Sequence, residues 1–334
     1  MSGKIRDERI DTLKALSILS VPLAHYACVF LNPPGTTATV AQVIVGVLSH
    51  FMLPVFLFFS GWFHRDAPWS GFLAKSARAI LVPYFVTVAA AALLLLAFGH
   101  PDHAWYKLLG ILTANGSEVG DKALRWKAWA GPVWFLPMLF WCRVIHKAFY
   151  NRLPGYLALS MTVPWLAFVA GHRIPNYTFG LLTAFCCIGF YSLGAWCRAN
   201  RLFERLSAFY ASGLWAPALL VCGYSMCHYI SDHSTFRFEP YPVIFAASLL
   251  SIVFLYRIAA YTPRRLMPLL NWAGQNTLQI LCYHTLALLM TNELYVRLPA
   301  EYQNLYAISA LNAVLTFGFA FAHAKVKLRF LHVA

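Results

Sequence analysis

The chain has 334 residues, of which 60% are hydrophobic and only 11% are charged. A soluble domain usually carries about 25% charged residues, so this composition excludes an ordinary soluble protein and predicts a polytopic membrane protein. The 26 basic against 12 acidic residues give a formal net charge of +14. Because the basic residues stand in short connecting loops, the excess is typical of membrane topology rather than of nucleic-acid binding.

Apolar stretches that could cross a bilayer, which takes ~20 residues, recur along the whole chain. They lie near 12–31, 40–63, 79–99, 131–149, 153–170, 178–197, 208–230, 241–261, 269–290 and 304–323. We therefore predict an all-α polytopic membrane protein of about ten transmembrane helices, forming one domain over residues 1–334. The first stretch has no small-residue cleavage site and is expected to be a retained anchor. The longest loop, 100–130, is expected to hold a short amphipathic helix near 122–129.

Basic residues alternate between successive loops. They gather at both ends of the chain and in every second loop: Lys4, Arg6 and Arg9; Arg65, Lys75 and Arg78; Arg143, Lys147 and Arg152; Arg198, Arg201 and Arg205; Arg257, Arg264 and Arg265; Lys325, Lys327 and Arg329. The intervening loops are uncharged or mixed. This positive-inside pattern predicts that both termini are cytoplasmic.

Two histidines lie inside apolar runs, His25 in the first stretch and His284 in the ninth. Ionisable groups at membrane depth are costly and tend to mark functional sites. Both spans are predicted to run outward from the cytoplasm, which places His25 ~20 Å and His284 ~22 Å along them. Similar depth is what a shared site requires.

Lys14 adds a cation to the helix face that carries His25. It precedes His25 by eleven residues, which at about 100° per residue leaves the two about 20° apart after three turns. They are then ~16 Å apart along the helix axis. Asp11 falls on nearly the same face. A cation at one membrane surface is therefore aligned with a potential base deep in the bilayer.

The run Ile10-Asp11-x-Leu13-Lys14-Ala15-x9-His25 resembles the first helix of the acyltransferase type 3 membrane family, which has a basic residue eleven positions before an essential histidine. Four further motifs of that family follow in order: Phe58-Phe59-Ser60-Gly61-Trp62; Arg78 with Pro83-Tyr84; Trp134-Phe135-Leu136-Pro137; and Gly274-Gln275-Asn276-Thr277-Leu278 with Tyr283-His284. In the last motif Thr277 replaces a serine and the tyrosine is shifted next to the histidine. With lysine rather than arginine at position 14, the first motif resembles that of the family branch similar to fucose 4-O-acetylases.

The resemblance implies transfer of an acetyl or similar short acyl group from acyl-CoA to a hydroxyl of a cell-surface glycan or lipid-linked sugar, in a bacterial inner membrane. Acetyl-CoA would be the donor substrate, membrane lipids would surround the protein, and neither a metal nor a nucleic acid is implied. The eight cysteines form no C-x-x-C pair, so a metal site is not predicted from them either. A homo-oligomer is compatible with the sequence. The implied site residues are His25 and His284 for catalysis, Lys14 and Arg78 for the CoA phosphates with Asp11 to orient these cations, and Ser60, Trp134, Asn276, Thr277 and Tyr283 for the substrate pocket.

The chemistry of an imidazole suits this reaction. An alcohol becomes a good nucleophile when a base takes its proton, and a neutral buried imidazole does this well near neutral pH. His25 is the candidate base, and an acetyl-imidazole on His25 is the alternative within the same chemistry. His284 is expected to hold the acceptor hydroxyl or the thioester carbonyl.

Other interpretations remain open at this point. Lys14 and Arg78 also fit membrane-anchoring cations, His284 fits a histidine that bonds a neighbouring helix, and Trp134 fits an interfacial aromatic. A proton-coupled transporter of a glycan or lipid-linked sugar would use the two histidines as a relay, although no internal repeat of the kind common in transporters is evident. A non-catalytic membrane assembly subunit is a third hypothesis.

Overall fold

The computed structural model describes residues 7–30, 38–114, 119–121, 126–128, 130–169, 179–228 and 241–331. These residues are almost entirely helical, as predicted. The helices are α1 Glu8–Phe30, α2 Ala38–Trp62, α3 Trp69–Ser76, α4 Val82–Ala97, α5 Pro101–Thr113, α6 Phe135–Phe149, α7 Tyr156–Val169, α8 Leu181–Ala199, α9 Leu206–Ala211, α10 Trp215–His228, α11 Tyr241–Ala259, α12 Met267–Gln275, α13 Thr277–Arg297 and α14 Leu305–Leu331. A π-helical turn, Ala77–Leu81, joins α3 to α4, and a 3₁₀ turn, Gly131–Trp134, leads into α6.

Five helical segments of the described chain are long and apolar enough to cross a membrane. They are Val45–Trp62, Trp69–Ala97, Leu181–Ala199, Pro242–Ala259 and Ala307–Lys325. A further apolar helix, Tyr156–Leu166, is shorter. The protein is therefore an integral membrane protein with several apolar helices, and the count of ten spans stays a prediction.

The ninth predicted span is not one continuous helix. It is divided at Asn276, whose backbone leaves the helical region (φ −109°, ψ 26°) between α12 and α13. The side-chain amide of Asn276 donates a hydrogen bond to the carbonyl of Trp272, at 2.8 Å, so a local side-chain contact ends α12 there. This break separates α12, which packs along α1, from α13, which carries His284.

The long loop also differs from the expectation. The described residues show α5 at Pro101–Thr113, before the expected helix, and a two-stranded antiparallel hairpin of β1 Val119–Asp121 and β2 Trp126–Ala128. The prediction of a helix near 122–129 was wrong for 126–128, which form β2. Residues 122–125 and 129 lie outside the described part of the chain. The hydroxyl of Tyr84 in α4 donates to the carbonyl of Gly110 in α5, at 2.8 Å, so α5 turns back along α4.

Helix α2 packs against α1, α8, α10 and α11. Its closest approach is to α8, where two glycines face backbone of the partner helix. A Cβ on Gly61 would overlap the carbonyl of Tyr191, and one on Gly194 would overlap the carbonyl of Phe58. Glycine at both positions lets the two backbones touch, which fixes the Ser60 end of α2 against α8.

Candidate active site

The two membrane histidines are in direct contact. Nδ1 of His25 lies 2.9 Å from Nε2 of His284, a hydrogen-bond distance, and the two rings are nearly parallel at 7°. One of these nitrogens carries the shared proton and the other accepts it. His284 is completely buried. Helices α1 and α13, which are far apart in sequence, therefore place both imidazoles at one point.

His25 is at one end of a cavity of about 340 Å³. A single stripe of α1 lines it, formed by Lys14, Ile18, Val21 and His25. These positions are four, seven and eleven residues after Lys14, the spacing of one helix face. The shared face that the sequence predicted for Lys14 and His25 is thus the face that lines the cavity.

The remaining walls come from α2, the π-helical turn, α6 with the turn before it, and the start of α13. They contribute Met52, Leu53, Phe56, Phe59, Ser60, Phe63, Ile80, Pro132, Trp134, Phe135, Leu136, Leu139, Arg143, Thr277, Leu278 and Leu281. Most of these side chains are apolar. The cavity therefore has cations at one end, an imidazole at the other and a largely hydrophobic wall between them.

Five of the sequence-predicted site residues line this cavity: Lys14, His25, Ser60, Trp134 and Thr277. They come from four different helical segments and from motifs spread over most of the chain. The structure therefore brings these five motif residues together.

His284 and Asp11 lie just behind the cavity wall, each against a residue that lines it. His284 contacts His25. Asp11 is buried, and its carboxylate is 3.8 Å from the ammonium of Lys14. Both side chains are placed to act on a cavity residue.

Three predicted residues are not part of the cavity wall. Arg78 is exposed in the π-helical turn. Asn276 bonds its own helix through Trp272. Tyr283 faces α14, where its hydroxyl is 2.9 Å from Nδ1 of His323. Adjacent residues on a helix point about 100° apart, so Tyr283 does not share the direction in which His284 contacts His25.

Arg143 is a cavity residue that the sequence analysis treated only as a loop cation. It lies within α6, and its guanidinium is 5.6 Å from the centre of the Phe72 ring. Its Nε is buried and has no hydrogen-bond partner among the described residues. Spacing carried a usable signal, because Phe135, Leu139 and Arg143 follow one another at four-residue intervals after the tryptophan motif.

No group of three or more His, Cys, Asp or Glu side chains within the described part of the chain could hold a metal ion. The side chains present at the site are an imidazole pair, a largely hydrophobic wall and two cations, Lys14 and Arg143. A neutral imidazole can take a proton from a hydroxyl, and lysine and arginine bind phosphate.

Comparison with known proteins gives one match. A protein-family model described as an acyltransferase domain matches residues 7–324 of the chain. No curated protein and no solved structure matches it. The matched range includes every residue of the candidate active site.

Proposed function

Because the chain belongs to the acyltransferase type 3 family, we propose that this membrane acyltransferase moves an acetyl or similar short acyl group from acyl-CoA to a hydroxyl of a cell-surface glycan or lipid-linked sugar. One observation carries the proposal: the imidazole pair of His25 and His284 closes a cavity that has Lys14 at its other end. The family match gives no support to the transporter hypothesis.

In the proposed reaction, His25 removes the proton of the acceptor hydroxyl as its oxygen attacks the thioester carbonyl. The tetrahedral intermediate then collapses, the carbon–sulfur bond breaks, and the CoA sulfur leaves with a proton returned by the imidazole. An acetyl-imidazole on His25 would divide the same transfer into two steps. His284 orients the imidazole of His25 through their hydrogen bond, rather than contacting the acceptor as the sequence suggested.

The donor is proposed to enter from the cytoplasmic side. Ten spans with both termini cytoplasmic would place Lys14 at that surface and His25 deeper in the membrane, which we propose to be a bacterial inner membrane. Lys14 binds a CoA phosphate while Asp11 orients its ammonium. The ~16 Å along α1 between Lys14 and His25 is comparable to an extended pantetheine arm. Four further expectations stay predictions: Arg78 as a second phosphate contact, membership of the fucose O-acetylase-like branch, a single domain over 1–334, and assembly into a homo-oligomer.

Mass spectrometry of surface glycans tests the function directly. Cells that produce the wild-type protein should carry acyl groups that are missing from cells without it and from cells producing His25→Ala. The purified protein in lipid nanodiscs should then transfer label from acetyl-CoA to the modified glycan or its lipid-linked precursor. Identical glycans in all three strains, with no transfer to any envelope fraction, would contradict the proposed function.

A further inference from the structure

A second cavity lies beside the first, at its Lys14 end. It has a volume of about 420 Å³ and is formed by the segment that joins α2 to α3, by α3 itself and by α6. Its lining residues are Phe63, Arg65, Ala67, Gly71, Phe72, Lys75, Ser76 and Arg143. Three of these are basic and none is acidic. We call this cavity the basic pocket.

The basic pocket and the histidine cavity share two wall residues, Phe63 and Arg143. A molecule that fills the histidine cavity from His25 to Lys14 therefore reaches the basic pocket as soon as it extends further. The two spaces differ in character. The histidine cavity is mostly apolar, whereas Arg65, Lys75 and Arg143 dominate the wall of the pocket next to it.

Two buried polar atoms on the pocket wall have no hydrogen-bond partner among the described residues, Oγ of Ser76 and Nε of Arg143. Buried polar groups usually have a partner, so orphaned donors on a cavity wall point to a polar ligand. The exposed carboxylate next to the pocket, Asp66, accepts a hydrogen bond from Lys147, which lowers the pKa of that carboxyl. Asp66 thus remains ionised but paired, and it does not neutralise the pocket's own cations.

We propose that the basic pocket binds the phosphorylated nucleotide end of the acyl-CoA donor. The proposal rests on the proposed function, since it assumes that acyl-CoA fills the neighbouring cavity. With the thioester at His25 and the pantetheine arm along α1, the diphosphate of CoA would reach Lys14, and the adenosine with its 3′-phosphate would extend beyond it into the pocket. Arginine binds phosphate in a bidentate manner and lysine as a point charge. The half-exposed ring of Phe63 offers a face on which the adenine can stack.

The test is a binding measurement that involves no acyl transfer. Wild type and the variants Arg65→Gln, Lys75→Gln and Arg143→Gln are placed in nanodiscs of zwitterionic lipid. Calorimetry measures their affinity for CoA, dephospho-CoA, adenosine 3′,5′-bisphosphate and pantetheine. Arg65 and Lys75 are exposed, so their variants keep the fold even if Arg143→Gln does not. Arg264→Gln removes an exposed arginine from the loop before α12 and is the matched control.

Each pocket variant should bind CoA and adenosine 3′,5′-bisphosphate about 10- to 100-fold more weakly than wild type. This is the effect of losing one charge-assisted contact to phosphate. Pantetheine binding by Arg65→Gln and Lys75→Gln should be unchanged, because these two residues do not line the histidine cavity, and Arg264→Gln should bind CoA as wild type does. Pocket variants that bind CoA within about twofold of wild type would overturn the proposal while leaving the proposed function intact. The measurement is repeated with anionic lipid in the nanodiscs. Displacement of adenosine 3′,5′-bisphosphate from wild type but not from the pocket variants would support the phosphate site. A pocket that responds to anionic lipid but not to nucleotide would overturn it in favour of a lipid headgroup. Wild type that binds no CoA at all would overturn both proposals.

Discussion

His25 and His284 are hydrogen-bond partners, and this contact gives the two imidazoles unequal tasks. His25 lines the cavity, whereas His284 is completely buried behind it and bonded to it. The hydrogen bond at Nδ1 of His25 leaves Nε2 of the same ring as the nitrogen that is free to act as a base. Under the proposed function we therefore expect His25 to contact substrate and His284 to position His25.

Replacement of His25 by alanine should lower acyl transfer by about 10²–10⁴-fold, because loss of a general base typically costs that much. The measurement is transfer of labelled acetyl from acetyl-CoA by the purified variant. His323→Ala serves as a control, because it removes another membrane-helix histidine that contacts Tyr283 and lies outside the cavity. A His25→Ala enzyme that keeps more than about a tenth of wild-type turnover would contradict the assignment.

The role of His284 predicts a smaller and different loss. His284→Ala should lower kcat by less than His25→Ala does and leave the KM for acetyl-CoA nearly unchanged, because His284 does not line the cavity. His284→Gln should recover part of that loss, since an amide can still bond Nδ1 of His25. Equal losses in His284→Ala and His284→Gln, or a rise in KM alone, would show that His284 does not position His25.

Lys14→Ala should weaken the binding of acetyl-CoA much more than the binding of the acceptor. Lys14→Arg should have a smaller effect, because both lysine and arginine bind phosphate. Acetyl-pantetheine, which lacks the nucleotide phosphates, gives the control in a comparison of kcat/KM values. If Lys14→Ala affected this truncated donor as strongly as acetyl-CoA, Lys14 would not bind phosphate.

At the scale of helices, the closest described packing is that of α2 on α8. Gly61 and Gly194 each face a backbone carbonyl of the other helix, so neither position accepts a side chain without moving the helices apart. This packing holds Ser60 and Phe63, which line the histidine cavity from the end of α2. The backbone contact between α2 and α8 therefore supports the site, although no α8 side chain lines the cavity.

Gly61→Ala and Gly194→Ala should each destabilise the protein by about 1–3 kcal/mol, the usual cost of overpacking. Thermal unfolding in detergent measures this as a lower Tm. Gly223→Ala in α10 is the matched control, because a Cβ there meets nothing within 4 Å. A Tm unchanged in Gly61→Ala but lowered in Gly223→Ala would mean that α2 and α8 do not pack in this way.

The sequence predicted helix positions well because long apolar stretches have few alternatives to a helix in a membrane. It also predicted the α1 stripe of Lys14 and His25, because residues on one helix keep a fixed angular relation. The break at Asn276, the contact of Tyr283 with α14 and the place of Arg143 in the cavity wall were not predicted. Each of these depends on which neighbouring helix a face meets, and a single sequence contains no information about partners so distant along the chain.

At the scale of the whole molecule, the charge pattern and the site make a joint prediction about sidedness. The segment after α2 that carries Phe63 and Arg65 lines the basic pocket, and Phe63 also lines the histidine cavity, so the proposed donor site lies on the side of the protein that carries this basic loop. Cytoplasmic acyl-CoA can reach this side only if both termini and the loop of Arg65 are cytoplasmic. The tight connections at 98–100 and 298–304 must then face outward.

Reporter fusions measure this arrangement. Green fluorescent protein should fluoresce when fused after residue 331, and alkaline phosphatase should be active when fused at residue 100 or 303 but inactive at residue 66 or 153. The opposite pattern at 66 would place Lys14 and the basic pocket outside, away from the cell's acyl-CoA. The donor hypothesis would then fail even if His25 proved essential, because a cavity with its cations on the outer side can take an anionic donor only from outside the cell.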